Sequence, residues 1–177
     1  MVAGLAISQA ETNRQFKEQM AALSAAQART DAQIASVNKQ MGGLSSSLGS
    51  STEEFFFNTL LAKPMVGGVR FDRVMTNVLC GSGGHRAEFD IVLINGSSVA
   101  LIEVKHKTDV DDLEQVQTIV DRYRLFFPEH QNFVIYAGIA GFTVPDKVVQ
   151  AAHERGFFVL KRKGDLMETD TAAMRAF

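Results

Sequence analysis

Asp90, Glu103 and Lys105 are the residues of this chain whose types and spacing most suggest chemistry. They lie in EFDIVLINGSSVALIEVK, residues 88–105, which reads as an aspartate, two apolar runs separated by Asn95-Gly96, and then Glu-x-Lys. Two acids and a lysine inside runs that otherwise want burial are costly, because a buried charge costs several kcal/mol unless it is paired or bound to metal. Asn-Gly between alternating apolar residues is the strongest short hairpin signal. A two-residue turn places Asp90 opposite Leu101 and diagonal to Glu103, with Glu88 opposite Glu103. A four-residue loop, Asn95 to Ser98, places Asp90 directly opposite Glu103. Because side chains alternate along a strand, either turn puts Asp90, Glu103 and Lys105 on one face. The carboxylates then sit within roughly 5–8 Å of one another, measured between Cβ atoms. Like charges that close repel, and a divalent cation compensates them. Hard oxygen donors suit Mg²⁺ or Mn²⁺. A lysine beside them can hold a water or screen a phosphoryl oxygen.

The elements that must position this hairpin can be read from pattern. Residues 52–62 form a short amphipathic helix stopped by Pro64, and residues 69–79 read as a strand before the flexible Gly81-Ser82-Gly83-Gly84. The hairpin strands cover 87–94 and 98–105. Thr108 and Asp109 can cap a helix reaching Phe127, with Val110, Leu113, Val116, Val120, Tyr123 and Phe127 along one side. Phe133 to Ile139 is an apolar strand. Pro145 and Gly156 bracket a helix, and Phe157 to Lys161 and Leu166 to Thr169 form two last strands. The order α-β-β-β-α-β-α-β-β predicts an α/β fold, a mixed β-sheet flanked by helices.

Before Gly42 the chain is of another kind, rich in Ala, Gln and Ser and without Pro. One heptad register runs from Ala6 to Leu48 for about six heptads, with Ala6, Asn13, Met20, Gln27, Ile34, Met41 and Leu48 at a and Gln9, Phe16, Leu23, Thr30, Val37 and Leu44 at d, a seam polar in places but continuous. A lone helix so exposed is marginal, so the stripe needs a partner. Few charges flank it, which leaves strand number and direction weakly specified. The alternative is one long helix packed on its own domain. The expected division is therefore 1–50, a coiled-coil oligomerisation helix, and 51–177, a globular domain, with a break at Gly42-Gly43 and SSSLGSS. Residues 6–48 are expected to make a homo-oligomer.

Composition narrows the classes. The net charge of −2 gives no global basic field. Outside residues 1–51 there are 14 basic and 17 acidic residues. The one cysteine, Cys80, excludes an internal disulfide framework, fits a reducing cytosol, and reads as a small packed residue. The longest apolar stretch, Phe133 to Val144, is too short to span a bilayer, and the N-terminus lacks a basic region typical of a signal peptide. A cytoplasmic protein without membrane contact is expected.

Asp, a hairpin and Glu-x-Lys resemble the PD-(D/E)XK nuclease superfamily, the restriction-endonuclease-like fold, over about residues 52–170. More narrowly, the chain resembles uncharacterised prokaryotic members that carry an N-terminal coiled coil. The resemblance implies a nuclease, with Asp90 and Glu103 holding Mg²⁺ or Mn²⁺, Lys105 assisting, and a glutamate of the preceding helix completing the metal site. Glu54 is the preferred match, with Glu53 beside it. Two features depart from the family pattern. Phe89, not proline, precedes Asp90, and Gln117 and Tyr123 are wrongly spaced for a Gln-x-x-x-Tyr motif. DNA is the expected substrate. The rival from another class is a non-catalytic coiled-coil scaffold whose nuclease-like domain binds nucleic acid or protein.

Each residue also has a plainer role. Asp90 and Glu103 can be structural ions paired with Lys105. Ser51-x-x-Glu54 and Ser50-x-x-Glu53 read as capping boxes, so Glu54 is divided between cap and ligand. Glu88 reads as a rim charge or a Lys105 partner, and His85 as a solvated side chain or a substrate contact. His106 alternates to the opposite side from Lys105. Gln117 reaches the site or caps its edge. Lys161-Arg162-Lys163 is a solvated strand end and also the best candidate phosphate contact.

Overall fold

A computed structural model describes the backbone of residues 2–82 and 84–177, and the side chains of residues 14, 16–37, 47–81, 84 and 86–177. The chain divides into two units, residues 1–46 and 47–177. A single helix, α1 (Val2–Ala62), contains the first unit and enters the second. Phe16, Met20, Leu23, Ile34 and Val37, all from the a and d positions, are exposed on it.

The expected break at Gly42-Gly43 and SSSLGSS is not found, because α1 continues through both. The capping boxes go with it, since Ser50 and Ser51 lie inside the helix. A glycine in a helix costs about 1 kcal/mol, whereas a break leaves four N–H and four C=O groups without helical partners. Thr52 shows the continuity locally, donating its hydroxyl to the Leu48 carbonyl one turn back at 2.8 Å.

In the second unit α1 is followed by β1 (Met65–Val66), β2 (Val69–Arg70), β3 (Arg73–Ser82), β4 (His85–Ile94), β5 (Ser98–Lys107), α2 (Asp112–Phe126), a 3₁₀ turn at Pro128–His130, β6 (Val134–Thr143), α3 (Asp146–Arg155), β7 (Phe158–Lys163) and β8 (Leu166–Asp170). The strand expected over 69–79 is in fact two. Gly67 and Gly68 both take positive φ, 56° and 80°, and close a tiny β1–β2 hairpin, after which Phe71 turns into the core.

Strands β3 to β8 form one six-stranded sheet in sequence order. β3, β4 and β5 are antiparallel neighbours, β5, β6 and β7 are parallel, and β8 returns antiparallel to β7. Helices α2 and α3 are the crossovers that parallel pairing demands. They cover one face through Leu113, Val116, Val120, Tyr123, Val148 and Ala152. Phe56 and Leu60 of α1 cover the other, against Ile91, Leu93, Ile102 and Leu160. The central strand β5 is buried on both sides from Ser98 to Val104, so a charge there stands out.

Candidate functional site

Asn95 sets the register that brings the acids together. Its N–H donates to the Ser98 carbonyl at 3.0 Å, and its Oδ1 accepts from the N–H groups of Ser97 and Ser98 at 2.9 and 2.7 Å. Its amide nitrogen donates to the Arg70 carbonyl at 2.7 Å. The result is the four-residue loop, with Ile94 opposite Val99 and Ile91 opposite Ile102. One step further along this register, Asp90 faces Glu103.

The β4–β5 ladder ends there. Below Ile91, β4 stays with β3, while β5 continues with β6, where Glu103 pairs with Ile139 and Lys105 with Gly141. The sheet forks, and Asp90 sits at the apex. Its Oδ2 accepts the Val104 N–H at 2.8 Å, taking up a donor at the end of the ladder. Gly141 keeps β6 close to the end of β5 that carries Lys105, since a Cβ there would lie 2.7 Å from Thr108 Cγ2 and 3.2 Å from the Lys105 carbonyl.

A second irregularity aims Asp90. The β3–β4 pairing skips Asn77 and Asp90, and Asn77 has a φ of 51°, the left-handed region. Thr76 Oγ1 donates to the Asp90 carbonyl at 3.0 Å. Alternation breaks at this point. Ala87 and Phe89 pack on the α2 side, whereas Ile91 and Leu93, of the same parity, pack on the α1 side. Phe89 and Asp90 are thereby turned toward α2 in succession, and Asp90 lines a cleft with residues of that helix. Strand irregularities of this kind commonly re-aim a side chain.

The charges at the fork are strongly coupled. Glu103 is 8 % exposed, and Lys105 Nζ lies 2.8 Å from its Oε1. Burial, with the Glu103 charge second, pushes the Asp90 carboxyl up to about 7, against the lowering effect of the Val104 N–H and Lys105. Burial alone would lower Lys105, but the hydrogen bond and charge of Glu103, with Asp90 and Asp112 behind them, outweigh it and raise the ammonium. Glu53 is also raised, by burial and then by Glu88, against Lys105. The helix carboxylate coupled to the cluster is therefore Glu53, whose charge acts on Asp90. Glu54 is exposed, two residues from each of the buried Thr52 and Phe56 and so roughly opposite them on the helix. Of the two glutamates weighed for the site, Glu53 is the half-buried one and Glu54 the exposed one.

Among the described residues, no three His, Cys, Asp or Glu side chains come close enough to hold an ion by themselves. The oxygen donors at the fork are Asp90 and Glu103. That set suits Mg²⁺ more than a caged ion, because Mg²⁺ is usually held by one or two carboxylates and completes its shell with water and substrate phosphate. Burial first, and the Glu103 charge second, disfavour the Asp90 carboxylate, and a cation between the two acids would offset both.

The cleft has a volume of about 450 Å³ and is lined by Glu88, Asp90, Glu103 and, from α2, Gln115, Thr118, Ile119 and Arg122. Sequence reasoning missed the α2 residues. Their i, i+3, i+4, i+7 spacing beside the buried Val116–Val120 stripe is the signal that could have found them. Gln117 is exposed and does not line the cleft. His106 lies on the opposite face as expected, with Nδ1 3.1 Å from the Thr52 hydroxyl and its ring 5.4 Å from Phe142. Arg162 stacks over Phe55 and Phe142, 5.2 and 4.6 Å from the ring centroids, and Lys163 pairs with Glu168. That basic run is thus partly committed to structure. Cys80 packs at the edge of the α2-side core, where burial raises its thiol. The side chain of His85 lies outside the described residues.

What the fold and site define is a mixed α/β domain with an acidic fork and one paired lysine at the centre of its sheet. No protein-family model matches the chain, and no curated protein matches it. Eight chains of solved structures match. One is protein VC1899 from Vibrio cholerae, 14 % identical, with a TM-score of 0.39 over 62 % of this chain. The match spans 28 % of the length of VC1899. Among the described residues, no helix is long and apolar enough to cross a membrane.

Proposed function

We propose that residues 47–177 form a Mg²⁺- or Mn²⁺-dependent phosphodiesterase domain of the PD-(D/E)XK, restriction-endonuclease-like class, acting on nucleic acid and on DNA first. The observation that carries this is the fork: Asp90 and Glu103 opposed where β4 leaves β5, with Lys105 held 2.8 Å from Glu103. Asp90 and Glu103 would hold the cation. Its chemistry, when bound, is to activate water and to neutralise phosphoryl charge. Lys105 keeps its ammonium charged beside Glu103, one of the carboxylates that line the cleft, where it would offset the negative charge of a phosphodiester. Asp90 is held by the Val104 N–H so that one oxygen is fixed and the other is free for a ligand. Residues 6–48 are proposed to join copies of the chain as a coiled coil and so to bring more than one cleft to a substrate.

Two measurements on wild type and the Asp90→Ala, Glu103→Ala and Lys105→Ala variants test the reading. Calorimetry should show Mn²⁺ binding lost in both acid variants and kept in the lysine variant. A cleavage assay should show all three reduced by at least about 100-fold, the scale expected for loss of a positioned catalytic group. Wild-type protein that binds no divalent metal and cuts neither DNA nor RNA would refute the catalytic reading. The binding-scaffold reading, with Glu103–Lys105 as a structural ion pair, would then take its place.

A further inference from the structure

A second pocket lies beside the Asn95 loop, toward the other end of β4 from the fork. Its volume is about 320 Å³, and with Asn95 it is lined by Asp72, Arg73, Ile94, Gly96, His130 and Phe133. Ile94 is four residues from Asp90 along β4, on the order of 13 Å. The walls are fixed. Asn95 pins the loop to itself and to the Arg70 carbonyl, and the Asp72 N–H donates to the Ile94 carbonyl at 2.9 Å. Rings stack on the other side. Phe127 lies 5.7 Å from His130 with planes 6° apart, and His130 lies 4.4 Å from Phe133 at 26°. Tyr123 orients His130. It is 1 % exposed, and burial pushes its phenol up to about 12, so it keeps its proton. Its oxygen is 2.9 Å from His130 Nδ1, the one partner described for it. The phenol therefore donates to Nδ1, and the neutral imidazole carries its hydrogen on Nε2, turned away from Tyr123. The charges at the pocket are free by contrast. Asp72 and Arg73 are exposed, and among the described residues neither side chain makes a hydrogen bond or an ion pair.

We infer that this pocket binds a free aromatic α-amino acid, with Arg73 on its carboxylate, Asp72 on its ammonium and its ring against Phe133. The class follows from what the walls offer. A plain anion is repelled by Asp72 and a plain cation by Arg73, whereas a zwitterion satisfies both. The fork of donors on an arginine matches a carboxylate bidentately, and the His130 Nε2–H is a further donor at the wall. The ligand ring prolongs the stack that runs through His130 to Phe133, and Ile94 adds an apolar contact. The volume lies at the small end of ligand sites, which suits a single amino acid. A residue inside a peptide carries neither backbone charge. The inference is independent of the phosphodiesterase reading, because neither Asp90 nor Glu103 lines this pocket.

The test titrates L-phenylalanine into the full chain, as wild type, Arg73→Ala, Arg73→Lys and Asp72→Ala, by calorimetry and by amide spectra. Wild type should bind saturably and shift the Gly96 and His130 signals. Each alanine variant should bind at least about 10-fold more weakly, the scale of a lost charge-assisted hydrogen bond, and Arg73→Lys should recover part of the loss. Three analogues probe the same site in wild type. 3-Phenylpropionate lacks the ammonium, phenethylamine the carboxylate and L-alanine the ring, and each should bind at least about 10-fold more weakly than phenylalanine. Asp72→Ala should leave 3-phenylpropionate binding no weaker, and Arg73→Ala should leave phenethylamine binding no weaker, which a merely structural effect of either substitution would not produce. The inference is overturned if wild type shows no saturable binding of L-phenylalanine at millimolar concentration, or if the alanine variants bind it as wild type does. It is equally overturned if 3-phenylpropionate or phenethylamine binds wild type as tightly as phenylalanine, since the pocket would then read one charge and not two.

Discussion

Asp90 is where the proposed function and stability oppose each other. Its carboxyl ordinarily titrates near 3.8 and is pushed up to about 7 by burial and by Glu103. Between those values the folded protein binds more protons than the unfolded chain, so stability is full below about pH 4, falls as pH rises through about 7, and is level above. At about 1.4 kcal/mol per tenfold, the loss is on the order of a few kcal/mol in metal-free protein. Asp90→Asn keeps an oxygen for the Val104 N–H and removes the charge. It should therefore raise the Tm at pH 8 and leave it nearly unchanged at pH 4, in thermal melts with chelator present. A drop in Tm at pH 8 would show that the carboxylate is not strained there. Added Mn²⁺ should stabilise wild type, by about 2.7 kcal/mol at 100 times its Kd, and leave Asp90→Asn largely unaffected. The three residues of the site were legible in the sequence because charge inside an apolar hairpin is anomalous by type alone. Gln115 and Arg122 were not, because each is an ordinary exposed helix residue until a neighbouring strand gives it something to face.

The hairpin was equally legible, since the two-residue turn and the four-residue loop at Asn95-Gly96 both put Asp90 and Glu103 on one face, whereas a three-residue loop would have put them on opposite faces. Choosing between them needed the amide of Asn95 and its bond to Arg70, a contact from outside the hairpin. The break in alternation at Asn77 and Asp90 left no trace in the pattern, because Val78, Cys80, Ala87 and Phe89 read as a plain alternating pair of strands. The left-handed φ of Asn77 is tolerated by asparagine but costs a β-branched residue about 1–2 kcal/mol. Asn77→Val should destabilise the protein by about that amount in urea melts, and should also weaken Mn²⁺ binding at a position that carries no ligand atom. Asn77→Gly should preserve binding. Unchanged Mn²⁺ affinity in Asn77→Val would mean that Asp90 is aimed by the fork alone. The first helix was misread for a related reason. Glycine and serine runs signal breaks by propensity, yet propensity is a weak prior against the helical hydrogen bonds a break would forfeit.

At the scale of the whole molecule, the open question is what covers the stripe on the N-terminal half of α1. Phe16 and Leu23 are 63 % and 62 % exposed, and Ile34 and Val37 each more than half. Heptad spacing joins them into one seam, whereas the residues between them are small or polar. Burying apolar surface gains about 25 cal/mol per Å², so five large side chains shared between two copies outweigh what a single exposed helix of this composition can supply. Light scattering of the full chain should give a mass of at least twice 19.4 kDa. Leu23→Glu with Val37→Glu should bring it to the monomer and lower helix content by circular dichroism, because an unpaired helix loses its main support. The same double variant should keep Mn²⁺ binding, since Asp90 and Glu103 lie in the other unit. A wild-type chain that scatters as a monomer would leave self-association without support. Monomeric variants that still hydrolyse bis(p-nitrophenyl) phosphate but cut duplex DNA more slowly would show that pairing of clefts, not the chemistry of each one, is what the helix contributes.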